Sequence, residues 1–340
     1  MTKGHESEGS RGMTEIFGKT PDGEDVMRCQ IRNGGSVASI LTWGATLQDF
    51  RIDGVDHAVV LGGNDMAAYL GPMRYFGAVV GPVANRIAGG QMEVKGQHFD
   101  LDKNEAGRTT LHSGLAGFSD RNWSFDMIGP AECRLMLSHP DGLGGFPGNI
   151  SVGVTYRLDK AGALDIEITG MTDAPTYFSP AFHGYWNLSG ARDLSDHLLT
   201  VPAPTYLPVD EDQIPLGRPA PVDDGPFDYR TARPVGAVLD HNFCLPFVRG
   251  QMQDACKLDA AGLSLAVSTN QRGVQIYNGL YIETGVTRGH GGAAYGSCAG
   301  LAIEPQFWPD TPHQPGYPSS LIVPGQVSKH RSRFEFSKKY

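Results

Sequence analysis

Apolar and polar residues alternate with a period of two along most of this chain, and that rhythm limits what it can fold into. In "SVGVTYRLD", Val152, Val154, Tyr156 and Leu158 fall on one face. "ALDIEITG" does the same with Leu164, Ile166 and Ile168, and "LSLAVST" with Leu263, Leu265 and Val267. Half-buried strands of antiparallel sheets carry this signature. "MEVKGQHFDL" reads as a hairpin turning at Lys95-Gly96. Helical spacing is nearly absent, and "NDMAAYL" has room for one or two turns. Forty-five glycines and 23 prolines interrupt the chain at short intervals, as a many-stranded sandwich requires. No internal repeat and no shift of composition marks a linker. Residues 13–340 therefore read as one large all-β domain, and the polar stretch 1–12, "MTKGHESEGSRG", as a disordered extension.

Charge narrows the range of partners. Twenty-eight basic against 37 acidic residues give a net charge of −9, which argues against nucleic acid, since phosphate binding needs clustered Lys and Arg. The basic run "SKHRSRFEFSKKY" alternates with Phe334 and Phe336 and reads as the solvated face of a last strand. The five cysteines are odd in number and form no CxxC pair, a pattern of free thiols in a reducing compartment. The N-terminus lacks the apolar stretch of a signal peptide, and no apolar run approaches a membrane span. The expectation is a soluble, cytoplasmic protein that binds no membrane.

Most catalytic motifs are missing. "GHGGAAYG", from Gly289, offers GxGxxA, but dinucleotide binding needs a βαβ setting, so it reads as a flexible surface loop. There is no GxxxxGK[ST], HExxH or GxSxG. What remains are single polar residues in turn-rich, aromatic company: Arg86 in "VANRIAGG", His112 in "TTLHSGLAGF", His183 in "FHGYWNLSG", Asp240 in "LDHNFCL" and Glu304 in "AIEPQFWPD". Each also has a plain structural reading: Arg86 an ion pair, His112 a loop residue, His183 core filler, Asp240 a turn former or cap. Glu304 stands out, because a strand's burial pattern runs straight into it. A carboxylate in that setting is paired or has a raised pKa, and perturbed carboxylates mark functional sites as well as ion-pair networks. Two histidines and two acids suit a metal, but the close spacing of ligand sets is absent.

Several segments, taken in order, resemble the aldose 1-epimerases, the galactose mutarotases: "GAVVGPVANRIAGGQMEVKGQHFDL", "LHSGLAGFSDRNW", "FHGYWNL", "LPVDEDQIPLG", "GPFDYR", "DHNF", "GVQIYNG" and "IEPQFWPDTPHQPGYPSSLIVPGQ". The resemblance runs from about Phe17 to Phe336. It implies a large antiparallel β-sandwich, the mutarotase-like supersandwich, with a sugar cleft and neither cofactor nor metal. It implies that Glu304, in E-x-Q-x-W-P-D, is the general base and that His183, in H-x-Y-x-N-L, is the general acid. The sugar-binding residues carry over to Asn85, Arg86, His112, Asp240 and Gln275. Gly184, Trp186, Pro305, Phe307 and Ser113 depart from the common pattern, which puts substrate preference in question.

The implied chemistry suits these residue types. A pyranose changes anomer by opening its hemiacetal ring, rotating about C1–C2 and closing on the other face. That takes one base for the C1 hydroxyl and one acid for the ring oxygen, each within about 3 Å. A partly desolvated Glu304 is the stronger base, and His183 donates if a neighbouring acid keeps it protonated. Trp186 and Trp308 offer either apolar faces to the sugar or packing to the core. With no Arg/Lys cluster among the motifs, the expected partner is a free aldose, bound by a monomer or a homodimer. The alternatives are a sugar-6-phosphate 1-epimerase of similar fold and a non-catalytic carbohydrate-binding protein.

Overall fold

The alternating segments form strands and pair in register. Ile150–Leu158 runs antiparallel to Leu164–Thr172, so that Val154 faces Ile168 and Tyr156 faces Ile166 across the ladder, all four buried. A computed structural model of the chain describes residues 14–248 and 250–338, and the expected extension at 1–12 lies outside them. Among the described residues no helix is long and apolar enough to cross a membrane. The one α-helix among the described residues, Met66–Tyr69, is a single turn capped by Asp65, whose carboxylate accepts from the Ala68 N–H.

Three antiparallel sheets build the sandwich. The largest has nine strands, in the order Ser124–Ile128, Glu132–His139, Ile150–Leu158, Leu164–Thr172, Ser328–Lys338, Leu263–Thr269, Gln253–Ala260, Leu198–Thr200 and Arg233–Pro234. The basic C-terminal run is thus a central strand, paired on both sides. Phe334 is buried and Phe336 packs against the core, while Lys329 and Arg331 face solvent. A four-stranded sheet holds Thr14–Lys19, Asp25–Asn33, Ser36–Leu41 and Leu47–Ile52 in chain order. The hairpin expected at Lys95-Gly96 joins Gln91–Val94 to Gln97–Asp100. Both turn residues have positive φ, 53° and 81°, as a two-residue type I′ turn needs.

The third sheet positions the polar residues. Its six strands run in the order Gly184–Trp186, Leu301–Gln306, Gly273–Tyr277, Asp240–Cys244, Thr205–Tyr206 and Ala220–Pro221. Leu301, Ile303, Val274, Ile276 and Phe243 point to one face and join a core cluster that reaches from Cys29 to Phe334. Residues of the opposite parity point the other way, and among them are Asp240, Asn242, Gln275, Glu304 and Gln306. Trp186 belongs to the core face. It is fully buried against Phe50, Phe182, Phe334 and Phe336, which excludes it as a sugar platform. Trp308 turns its indole N–H to the Arg272 carbonyl and its ring to Tyr317, again packing.

All five cysteines are free, and all but Cys298 are buried. The Gly289 loop does lie on the surface over Gly291–Ala294, but it is tied at both ends. The His290 ring bonds the Gln48 carbonyl at 2.8 Å, and the Tyr295 hydroxyl donates to the Gly62 carbonyl at 3.1 Å.

Ile276 and Phe334 pack into the shared core from two different sheets. Ile276→Ala should cost about 2–5 kcal/mol and Phe334→Ala about 3–5 kcal/mol in urea unfolding. A loss below about 1 kcal/mol for either would contradict the packing described.

Candidate active site

Glu304 sits on the inner strand Leu301–Gln306, directly across from Gln275. The strand on its other side is Gly184–Trp186, where Gly184 pairs with Ile303. One step along that ladder puts His183 opposite Glu304. His183 lies at the joint where the chain leaves Ala181–Phe182, paired with Val79–Val80, and joins the six-stranded sheet. Its own backbone is held on both sides, donating to Ala78 and accepting from Gly77. His183 Nε2 stands 3.5 Å from Glu304 Oε1, with the two residues 4% and 2% exposed. Two residues more than a hundred positions apart thus meet as a buried pair.

The second wall comes from a pair of turns. Asn85 and His112 both have left-handed backbones, φ 61° and 50°, a conformation that costs about 1–2 kcal/mol in a residue with a side chain. They clamp one another. The His112 N–H donates to the Asn85 carbonyl at 2.9 Å, and the Asn85 N–H donates to His112 Nδ1 at 3.1 Å. Because Nδ1 is an acceptor, the proton of the neutral ring is on Nε2. The two-stranded pairing of Arg86–Ile87 with Thr110–Leu111 sets Arg86 beside this clamp. Arg86 makes a bidentate ion pair with Glu105, both bonds 2.7 Å, as its structural reading expected, and it also lines the cleft. Asp310, at the end of the Glu304 motif, locks the wall to the sheet: its N–H donates to the Arg86 carbonyl and its carboxylate accepts from the Ala88 N–H.

Glu304, His183, Asn85, Arg86 and His112 line a cleft of about 400 Å³ together with Tyr75, Tyr185, Asp240, Tyr277 and Tyr281, within the range of small-ligand clefts. A larger hollow of about 870 Å³ beside His57 and His290 is lined chiefly by glycine and alanine and holds no buried carboxylate. Gln275 stands behind the cleft rather than on its wall. Its amide donates to Asp240 Oδ1 at 2.6 Å and so orients Asp240. Asp240 begins a strand and is not a turn former. Tyr75, Tyr185, Tyr277 and Glu105 complete the site and were not singled out by sequence. Tyr185 and Tyr277 lie inside quoted motifs, whereas nothing local marks Tyr75 or Glu105. The five departures from the family pattern all lie off the cleft wall. Ser113, in a left-handed turn at φ 68°, compensates by bonding both the N–H and the carbonyl of Val83.

Burial dominates the electrostatics. It raises the Glu304 carboxyl well above its ordinary range, Asp240 adds to the rise, and Arg86 opposes it. Burial lowers His183 to about 4. The condition that a neighbouring acid keep His183 protonated is therefore opposed by burial. His112 is also driven down, by burial first and then by His183 and Arg86. Asp240 is raised by burial, with Arg86 and Gln275 pulling it back. Burial would lift Glu105 too, but the Arg86 guanidinium carries it below its ordinary value. Burial thus favours the protonated carboxyl at Glu304 and the neutral imidazole at His183.

His112, His183 and Glu304 each offer one atom within 4.8 Å of the others, close enough to share a cation. The donors do not suit one. A ligating histidine normally donates from its other nitrogen, whereas His112 accepts there and keeps its proton on the nitrogen facing the cleft. What the arrangement supplies is a proton donor–acceptor pair, an imidazole N–H, an orienting carboxylate and aromatic walls.

The sequence pattern of the family described as aldose 1-epimerase matches residues 27–335. Galactose mutarotase from Mus musculus is 37% identical over 337 residues, covering 95% of this chain and 97% of the relative. Aldose 1-epimerase from Escherichia coli K12 is 31% identical, covering 95% and 99%. Among solved structures, galactose 1-epimerase from Lactobacillus acidophilus superposes with a TM-score of 0.83 at 26% identity, covering 97% of this chain and all of that one. An aldose epimerase homologue from C. elegans reaches 0.87 at 24% identity, covering 93% and 100%, a likeness of fold.

A carboxyl whose folded-state pKa is raised carries no penalty while both states are protonated. The penalty grows as pH rises above about 4.5, where the unfolded chain ionises and the folded one does not. Glu304→Gln removes that titration. Its Tm should exceed the parent's at about pH 8, and the two should converge at about pH 4. Equal Tm differences at both pH values would contradict the buried-acid assignment.

Proposed function

The chain belongs to the aldose 1-epimerase family and is a mutarotase, an isomerase of sugar anomers; we propose that it works on a free aldose with Glu304 as general base and His183 as general acid. The observation that carries this reading is the buried 3.5 Å approach of Glu304 to His183 at a cleft lined by groups able to bind hydroxyls. Anomer exchange needs one proton taken from the C1 hydroxyl and one given to the ring oxygen, with no net change. A pair that shares a single proton meets that balance. In its charge-separated form the Glu304 carboxylate accepts the C1 proton while the His183 imidazolium gives its own to the ring oxygen. The C1–ring-oxygen bond breaks, the C1 oxygen becomes a carbonyl, and the aldehyde rotates about C1–C2. Closure returns both protons by the same groups with roles exchanged. The site is thereby restored for either anomer.

Around this pair, His112 donates from Nε2, Asp240 accepts a sugar hydroxyl, and Arg86 and Asn85 fix the near wall. Gln275 acts through Asp240. Arg86 is the one Lys or Arg among the described residues of the cleft wall, and Glu105 already engages it. Glu211 adds a negative charge at the rim. Both features favour an uncharged sugar over its phosphate. Residues 13–340 act as one catalytic unit on this reading, supported by the core cluster that spans both ends of the chain.

The test is polarimetry beside calorimetry. Glu304→Gln should lower kcat by roughly a hundred- to ten-thousand-fold with sugar Kd little changed, because the amide keeps its shape and hydrogen-bonding capacity. Asp240→Ala should weaken Kd, since its contact acts in ground and transition states alike. The parent should turn over the free aldose with higher kcat/KM than the 6-phosphate. Near-normal turnover by Glu304→Gln, or a preference for the phosphate, would overturn the respective part.

A further inference from the structure

Behind the catalytic pair the site face of the six-stranded sheet carries a row of amides that the reaction does not use. Asn242 lies across from Gln275, and Gln275 lies across from Glu304. Gln306 follows Glu304 by two residues on the same face and pairs with Gly273. Asn242 and Gln306 are 2% and 0% exposed, yet no protein group bonds the amide nitrogen or oxygen of either side chain. Gln275 Oε1 and Glu304 Oε2 are in the same condition. Six polar atoms on four neighbouring side chains thus share one buried region.

Gly273 lets the Asn242 amide approach the sheet closely. A Cβ there would come within 2.6 Å of Asn242 Oδ1 and 3.0 Å of the Trp308 ring. Asn242 therefore leans over the glycine, whose cross-strand partners are Cys244 and Gln306, and Trp308 flanks it. The amides lie on one sheet face, and no hydrogen bond joins them to one another. Buried amides are nearly always hydrogen-bonded, to protein or to ordered water, because leaving them unpaired is costly. Water that joins several such groups is part of the fold. We propose that Asn242 and Gln306 are positioning residues that hold ordered water against Glu304 Oε2, and that this water solvates the carboxylate when it takes up charge. The inference rests on Glu304 being the base.

Its consequence is specific. Oε1 faces His183, and Oε2 has no protein donor. Without water, the charge-separated form of the pair would have no donor on that side. Amides suit the role, since each can accept from one water and donate to the next without carrying charge. A lysine or arginine there would trap the carboxylate as an ion pair, and an apolar residue would keep it protonated.

The experiment compares Gln306→Met and Asn242→Leu, singly and together, with the parent and with Glu304→Gln as reference. Sugar Kd should stay within about twofold, because neither amide lines the cleft. kcat should fall about tenfold and the alkaline limb of its pH profile should move up by about one unit, the equivalent of one lost hydrogen bond to a charged group. A merely structural role predicts something else: unchanged kcat and pH profile with a higher Tm. That result would overturn the proposal while an inactive Glu304→Gln leaves the base assignment standing. An active Glu304→Gln would overturn both. If the variants do not fold, a crystal structure of the parent at a resolution that shows ordered solvent decides: water bridging Asn242 or Gln306 to Glu304 Oε2 is expected, and a dry site overturns the proposal.

Discussion

A β-strand cannot bury Leu301 and Ile303 on one face without committing Glu304 and Gln306 to the other, and in this fold the other face is also covered. The sheet's core side anchors it to the nine-stranded sheet, and its reverse becomes the floor of the cleft. The direction of Glu304 is therefore set by the alternation that stabilises the sandwich, and its burial by the residues that cover the cleft face. Removing the carboxylate from water raises its pKa, and the neighbouring ladder brings an imidazole to within 3.5 Å. A stable core and a reactive acid–base pair follow from one alternation.

The remaining charges are arranged so that neither partner of the pair is trapped. Glu105 engages Arg86 from the side, so the guanidinium opposes the rise of Glu304 without forming an ion pair with it. Asp240 pushes the other way, and Gln275 holds it in place. In the proposed cycle the pair holds its single proton on either partner in turn. Such a site is a stability liability near neutral pH, because the folded state resists an ionisation that the unfolded chain makes freely. Left-handed Asn85 and His112 add local strain on the opposite wall.

Much of the fold was legible because it rests on local pattern. The faces of Ile150–Leu158 and Leu164–Thr172 and the Lys95-Gly96 turn are written in adjacent residues. Glu304 was legible for the same reason, as an interruption of an apolar run. His183 was not: beside Tyr185 and Trp186 it looks like core filler, and only pairing with a strand more than a hundred residues away gives it an acid to face. Sequence left Trp186 between cleft and core, and strand parity decides it: its neighbour Tyr185 points to the cleft while Trp186 points to the core. Glu105 and Tyr75 carried no signal, because an ion-pair partner and a ring wall are defined in space alone. The resting protonation of His183 was also beyond sequence, as it depends on how completely the sheets exclude water.

In the proposed cycle the ligand-free site keeps one proton on a buried Glu304 beside a neutral His183. Difference infrared spectroscopy of the parent against Glu304→Gln, recorded across pH, reads that carboxyl directly. The account predicts a protonated C=O band absent from the variant that persists well above the ordinary carboxyl value of 4.5 and diminishes when a bound sugar engages the pair. A Glu304 band that titrates at or below that value, leaving a carboxylate throughout the active range, would contradict it.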